Sequence, residues 1–541
     1  MKVQICLLSL AVASGLAMSS SVDAAGNQKS AAISRANAMV NGAAANAVRR
    51  ANADAFKASD VVVDADGAEH VRFQRSYRGL PVIGGDFVVH SRNGQLGKVS
   101  QTLKSNARPS ILPRISRDQA IVEAGAHFGG RFVGAPSSRL VIYARGSSPL
   151  LAHEVVLNGM KADQTPTEMH YFVDARNGKI LDQWDTVQTA RPGKGGGGTS
   201  CVEAVGTGKS LTEGNVVLNT AKCGSSYQLK DLTRGGGHTS NMNMRTAGLG
   251  SDYTDSDNIW GNNQLSNSQT VAADAHYGVA ETWDFYENNF GRMGIANDGV
   301  GALSRVHYGR NYANAFWSDS CFCMTFGDGD NGASILPLVA LDIAGHEMSH
   351  GVTSRTANLI YSGESGGLNE ANSDIMGTMV EFYSNNPNDP GDYVIGEKLF
   401  PNNPNGYQAI RWMFKPSLDG VSADCYYPGV GSIDVHYSSG VANHFYYLLA
   451  EGAVVPANFG AGTPIGLTPA ALVCNGNTSL TGIGRSAAQQ IWYRALTVYM
   501  TSSTDYAGAR AATLSAATDL YGGGSPQYNA VAAAWSAVSV N

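Results

Sequence analysis

Charge is scarce in this 541-residue chain: Asp, Glu, Lys and Arg make up 15% of it, and the formal net charge is −6. No basic run exceeds a few residues. Nucleic acid is therefore a poor candidate partner, because gripping phosphates takes clustered Lys and Arg. Long apolar runs are lacking too. The one that begins at Cys6-Leu7-Leu8-Ser9-Leu10-Ala11-Val12-Ala13 is too short for a permanent bilayer span, and no later stretch of comparable length is free of charged or polar residues. No membrane anchor is expected. There are no two CxxC pairs, which excludes a zinc knuckle, and no tandem repeats, which excludes a solenoid.

What is present points to an exported globular protein. Hydrophobic residues reach 43%, enough to build packed cores, and the length calls for several domains. Lys2, the apolar run and the small residues around Val22-Asp23-Ala24 read as a signal peptide over 1–24, cut before Ala25. Of seven cysteines, Cys6 falls within that segment. The six others, Cys201, Cys223, Cys321, Cys323, Cys425 and Cys474, form an even set that suits disulfides, although spacing alone does not fix the pairing.

Organisation changes along the chain. Residues 25–60 are Ala-rich and read as helical or loose, and 68–103 alternate as strands. Ser116 is placed to cap a helix from Arg117 to about His127. Strands follow near 139–144, 152–158 and 168–175, and Asn177-Gly178 makes a hairpin turn before Ile180-Leu181. Residues 190–200, Ala-Arg-Pro-Gly-Lys-Gly-Gly-Gly-Gly-Thr-Ser, form a Gly-rich junction of the kind proteases cut, expected to divide a pro-segment from a mature protein. A Gly/Asn/Ser-rich β region with one helix near 271–290 extends to about 335. Helical periods then predict helices near 337–354, 368–385, 440–452, 484–501, 505–520 and 526–538.

The chemistry centres on His346-Glu347-Met348-Ser349-His350 at the end of an apolar stretch. Histidines at i and i+4 share one helix face and can both reach one tetrahedral zinc, while Glu347 is placed to act as base toward a water there. A catalytic zinc needs a third protein ligand and an open position. Glu370, 20 positions after His350, supplies it from a second helix, and Asp374, one turn on, can accept the free ring N–H of a ligating histidine.

With these residues in view the chain resembles the thermolysin family of zinc metalloproteases. The resemblance rests on His346-Glu347-Met348-Ser349-His350-Gly351-Val352-Thr353, Leu359-Ile360-Tyr361, Glu364-Ser365-Gly366, and Asn369-Glu370-Ala371 with Ser373-Asp374. Val306-His307-Tyr308-Gly309, Asn314-Ala315-Phe316-Trp317 and Phe326-Gly327-Asp328-Gly329-Asp330 fit as well. Asp434-Val435-His436-Tyr437-Ser438-Ser439-Gly440 looks most like the vibriolysin and pseudolysin branch. Arg72-Phe73-Gln74, Tyr77 and Gly79-Leu80-Pro81-Val82 resemble the fungalysin/thermolysin propeptide module, and 116–187 a PepSY module. The implied fold is α+β: an α+β propeptide over 25–190, with its two modules at about 50–103 and 116–187. A β-rich lobe with the active-site helix (191–350) and a helical lobe (351–541) would follow, with zinc in the cleft.

The resemblance also implies roles. Glu347 would be the general base, His436 and Tyr361 the oxyanion donors, and Asp434 the residue that orients His436. Asn314 and the Ala315 carbonyl would hold the substrate backbone. Arg411 would bind substrate near a pocket lined by Ile335, Leu338, Ile343, Ile395 and Ile410, which favours a bulky apolar residue after the scissile bond. Calcium would be held by Asp342, Glu381, Asp392 and the Val394 carbonyl, with Thr378 where the family usually has another acidic residue. Gly327-Asp328-Gly329-Asp330-Asn331-Gly332 lacks the later Glu of an EF-hand and reads as a turn. The expected disulfides are Cys201–Cys223 and Cys425–Cys474, with Cys321 and Cys323 joined or left as thiols.

The expected partners are protein and peptide substrates and the chain's own propeptide, as folding aid and inhibitor, for a monomer secreted to the extracellular space. Two rivals remain. An aminopeptidase would need an acidic group for a free substrate amine, and no such motif is found. A non-catalytic binding protein would have been favoured by loss of Glu347, Tyr361 or His436, and all three are present.

Overall fold

A computed structural model describes residues 13–187 and 201–541. The start of the signal segment and the whole Gly-rich junction 190–200 lie outside the described residues. Among those residues no helix is long and apolar enough to cross a membrane. The chain divides into two compact units, residues 1–112 with 140–151, and residues 113–139 with 152–541.

In the first unit, strands Asp54–Val63, Ala68–Tyr77, Phe87–Arg92 and Gln95–Gln101 pair antiparallel in sequence neighbours. The alternation along Val71, Phe73, Phe87 and Val89 gives one apolar face, and the helix Ala13–Asn41 covers it with Ala32, Ala36, Met39 and Val40. The sequence expectation of helix or loose chain over 25–60 is thus corrected after Asn41. Residues 54–63 form a strand because Ala68–Tyr77 offers them a full ladder of partners.

The second unit begins with the helix Arg117–His127. Ser116 caps it as the sequence predicted, and Gln119 completes a capping box that the sequence reading had not named. It packs on the meander Leu150–Met160, Pro166–Asp174, Ile180–Asp185 through Ala120, Ala124, Val155, Leu157, Tyr171 and Val173. A β-rich lobe follows. Its sheet runs in the order Lys230–Asp231, Gly237–Asn241, Leu303–Tyr308, Cys323–Gly327, Ala315–Ser318. Ala315–Ser318 is an edge strand, paired among the described residues with Cys323–Gly327 alone.

The helical lobe holds Gly363–Ser384, Gly440–Glu451, Arg485–Arg494, Tyr506–Tyr521 and Pro526–Ala537 around buried Trp492 and Trp535, the latter stacked on Phe445 at 3.8 Å. Three boundaries differ from the sequence reading, the first being the helix expected at 368–385, which begins at Gly363. The site helix starts at Leu341, not 337, because the preceding segment bonds outward: Leu336 N–H to the Leu399 carbonyl and Leu338 N–H to the Gly327 carbonyl. The expected helix 484–501 ends its regular part at Arg494 and continues as a π-turn over Ala495–Tyr499.

Three disulfides are formed: Cys201–Cys223, Cys425–Cys474 and Cys321–Cys323. The third settles the open alternative in favour of a bond. The segment Gly327–Gly332 is a turn. Asp330 accepts from the Ser334 and Ile335 N–H groups, and Asp328 accepts from His307 Nδ1 at 2.8 Å.

Candidate active site

Two helices build the site, and glycine lets them approach. Leu341–Ser354 crosses Gly363–Ser384 so closely that a Cβ on Gly377 would lie 2.3 Å from the Asp342 carbonyl oxygen. On the first helix His346 and His350 stand one turn apart, with Glu347 between them in sequence. The second helix brings Asn369, Glu370 and Asp374 to the same place. All six side chains are buried.

The two Nε2 atoms of His346 and His350 lie 3.0 Å apart. Glu370 faces both, Oε2 at 3.5 Å from His346 Nε2 and Oε1 at 3.4 Å from His350 Nε2. Each ring's other nitrogen is committed. His346 Nδ1 donates to Asp374 Oδ1 and His350 Nδ1 to Asn369 Oδ1, both at 2.8 Å. That fixes the tautomers with the Nε2 lone pairs turned toward each other. Two ring acceptors and a carboxylate at such distances repel unless a cation lies among them, and Glu370 Oε2 has no hydrogen-bond partner despite complete burial. Two imidazoles and one carboxylate are the donor set of a catalytic zinc, so the residues fit that ion.

Electrostatics follow from burial and neighbours. Burial alone would lower the His346 pKa, but the hydrogen bond and charge of Asp374 outweigh it and raise it to about 9. Burial pushes His350 down to about 4. Burial opposes ionisation of Glu370, yet His436, His350 and His346 around it hold its carboxyl down at about 2. Burial lifts Glu347 to about 7, and its Oε2 has no hydrogen-bond partner. Asp374 accepts from His346, from Arg411 Nε at 2.7 Å and Nη2 at 2.6 Å, and from Asn443 Nδ2 at 2.7 Å.

Across the cleft, Tyr361 OH donates to Glu370 and lies 3.3 Å from His436 Nε2. Asp434 caps the short helix Val435–Ser438 and accepts from His436 Nδ1 at 2.7 Å. The cleft is lined by His346, Glu347, His350, Glu370, Tyr361 and His436, by Asn314 and Ala315 of the sheet edge, and by Leu338, Ile343, Ile410 and Arg411. Two residues of the expected apolar pocket are not in that lining. Ile335 closes the Asp330 turn through its backbone, and Ile395 is buried in the strand Val394–Ile395, its carbonyl accepting from Ile410 N–H.

A second acidic group joins Glu381 of the second helix to Asp389 and Glu397 of the segment that follows it. Glu381, Asp389 and Glu397 have oxygens within 4.8 Å of one another. Burial and mutual repulsion, with Asp342 and Asp392 contributing, drive Glu381 and Glu397 well above the carboxylate range. Glu381 Oε1 and Glu397 Oε2 lack hydrogen-bond partners. The sequence reading named Asp342, Glu381, Asp392 and Val394 here and missed Asp389 and Glu397. Thr378 instead sits against Met413 Sδ at 3.3 Å.

Other residues that sequence reasoning missed are Asn369, Asn443, and five from the pro-segment: Lys161, Thr165, Asp185, Thr186 and Val187, which line the same cleft. Asn369 stood next to the predicted ligand Glu370 and was legible; the cleft-lining pro-segment residues carry no local signal.

Comparison with known proteins agrees with this geometry. The thermolysin metallopeptidase catalytic-domain model matches residues 205–354, the alpha-helical-domain model 357–540 and the fungalysin/thermolysin propeptide motif 54–103. The transglutaminase-activating metalloprotease of Streptomyces mobaraensis is 48% identical over 89% of this chain, which spans 60% of that relative's length. Thermolysin of Alicyclobacillus acidocaldarius subsp. acidocaldarius is 36% identical, over 88% of this chain and 84% of its own. Bacillolysin of Bacillus cereus is also 36% identical, over 90% and 85%. The chain belongs to the thermolysin metallopeptidase family.

Proposed function

We propose that this chain is a secreted zinc endopeptidase, made as a precursor that cuts off its own N-terminal segment. The observation that carries the reading is the convergence of His346 Nε2, His350 Nε2 and the Glu370 carboxylate within 3.5 Å, with Glu347 beside them. Those three residues would hold the ion. When bound, zinc supplies the acidity that makes water a nucleophile near neutral pH and polarises the peptide carbonyl.

The chain's own groups do the rest. Glu347 takes the proton from the attacking water and returns it to the leaving amide nitrogen. Tyr361 OH and His436 Nε2, 3.3 Å apart on the opposite wall, donate to the oxygen that gains charge as the carbonyl becomes tetrahedral. Asp434, accepting from His436 Nδ1, helps Glu370 raise the His436 pKa against burial and so favours the imidazolium form, in which Nε2 also carries a proton to donate. Asp374 and Asn369 orient the two ligand rings.

Substrate geometry follows from the sheet. Because Ala315–Ser318 is an edge strand, an extended peptide can add to it through the Ala315 carbonyl and the Asn314 side chain. Leu338, Ile343 and Ile410 favour a bulky apolar side chain after the scissile bond, and Arg411 faces the same part of the cleft. Calcium suits the Glu381, Asp389 and Glu397 group, with Asp342 and Asp392 beside it, since a divalent cation would offset that buried charge.

The test is casein hydrolysis by the processed protein. A zinc chelator should abolish it and added zinc should restore it. Hydrolysis that persists in chelator with the metal shown to be gone would refute the reading.

A further inference from the structure

Besides the Ser362 hydroxyl that donates to Asp182 Oδ1 at 3.3 Å, the pro-segment makes two contacts with the enzyme that differ in kind. Asp185, Thr186 and Val187 enter the cleft beside the catalytic residues. The turn 161–165, closed by Lys161 N–H to the Thr165 carbonyl at 2.8 Å, borders the cleft through Lys161 and Thr165 and docks through Gln164 on the rim loop 308–312. There the Gln164 side-chain amide reads a backbone: its Nε2 donates to the Arg310 carbonyl at 2.8 Å and its Oε1 accepts from Arg310 N–H at 3.0 Å. Tyr308 OH donates to the Gln164 carbonyl at 3.4 Å, and Thr165 Oγ1 lies 3.1 Å from Tyr312 OH. Gln164 holds φ at +74°, a conformation that glycine adopts freely and glutamine does not. A glutamine kept there points to a use for its side chain.

We propose that the rim loop 308–312 is the anchoring surface for the cleaved pro-segment, and that Gln164 sets how long that segment stays bound. The inference rests on the zymogen reading above. Once the junction is cut, the pro-segment is held by non-covalent contacts alone, and its release rate is set by those contacts. The amide pair is indifferent to the side chain at 310. It lies outside the catalytic constellation, so the anchor can be removed without touching catalysis. Lys161, which pairs with Asp185 Oδ2 at 2.8 Å, ties the anchor turn to the segment in the cleft.

The experiment uses the full-length precursor with Gln164→Ala and Gln164→Gly. Junction cleavage is followed on gels and activity with a short peptide substrate; the lag between them reports release. Both variants should be cut at the wild-type rate, and both should shorten the lag by about tenfold, the worth of a pair of neutral hydrogen bonds. The glycine variant separates anchoring from turn geometry, because it relieves the backbone while deleting the amide. Tyr312→Phe, which removes the Thr165 partner from the enzyme side, should shorten the lag less. A wild-type lag in both Gln164 variants, or a shortened lag in the alanine variant alone, would overturn the proposal. A wild-type precursor that is never cut would overturn the zymogen reading, and this inference with it.

Discussion

Asn369 illustrates what a single side chain contributes. Its Oδ1 accepts from His350 Nδ1, and its Nδ2 donates to the Leu359 carbonyl at 2.9 Å, so the amide is fixed at both ends. Removing it leaves a buried ring N–H without a partner and frees the ring to turn. Asn369→Ala is expected to weaken zinc binding about 10–100-fold, measured by competition with a coloured chelator, with activity recovered in excess zinc. At this scale the sequence was most informative about the ligands. An i, i+4 histidine pair and an acidic helix 20 residues on leave few geometries open. It was least informative about Ile335 and Ile395. Apolar residues near a cleft look alike in sequence, and which of them faces it depends on where neighbouring backbones bond.

Among elements, the helix crossing at Gly377 positions the site, and a buried ion cluster holds the first unit together. Asp54, at the start of its strand, accepts from Arg75 Nη1 at 2.8 Å and Arg108 Nη2 at 2.6 Å, with its side chain fully buried. Burial alone would raise its pKa, but Arg108 and Arg75 outweigh it and hold the carboxyl below the usual range. Burial pushes Arg75 down to about 10, so it stays charged at neutral pH. For a carboxyl depressed in the folded state, the stabilisation is complete above the unfolded aspartate value of about 4 and is lost as pH falls through the folded value. Asp54→Asn should cost about 3–5 kcal/mol at neutral pH, because it strands two buried guanidinium groups. It should also flatten the acid limb of the stability curve. Urea unfolding of the precursor across pH checks both. The strands after residue 68 and the Ser116-capped helix were legible in the sequence, because their signals are local. The strand at 54–63 was not, because an Ala-rich, charge-dotted segment becomes a strand only through its partner at 68–77.

For the whole molecule, the order of pro-segment, β-rich lobe and helical lobe was legible from composition, the Gly-rich junction and the change of apolar period. The docking of residues 161–165 and 185–187 on the cleft was not, since it pairs residues more than a hundred positions apart. The account's central claim is that one site, His346, His350 and Glu370 with Glu347 as base, both hydrolyses substrates and matures the chain. Purified, refolded precursor carrying Glu347→Ala tests it most directly, with zinc content and junction cleavage measured on the same sample. Zinc should remain at one per chain, because Glu347 is not a ligand, while cleavage should slow by about 10²–10⁴-fold through loss of the base. A Glu347→Ala precursor that binds zinc and still matures at the wild-type rate would contradict both the self-processing and the role of Glu347.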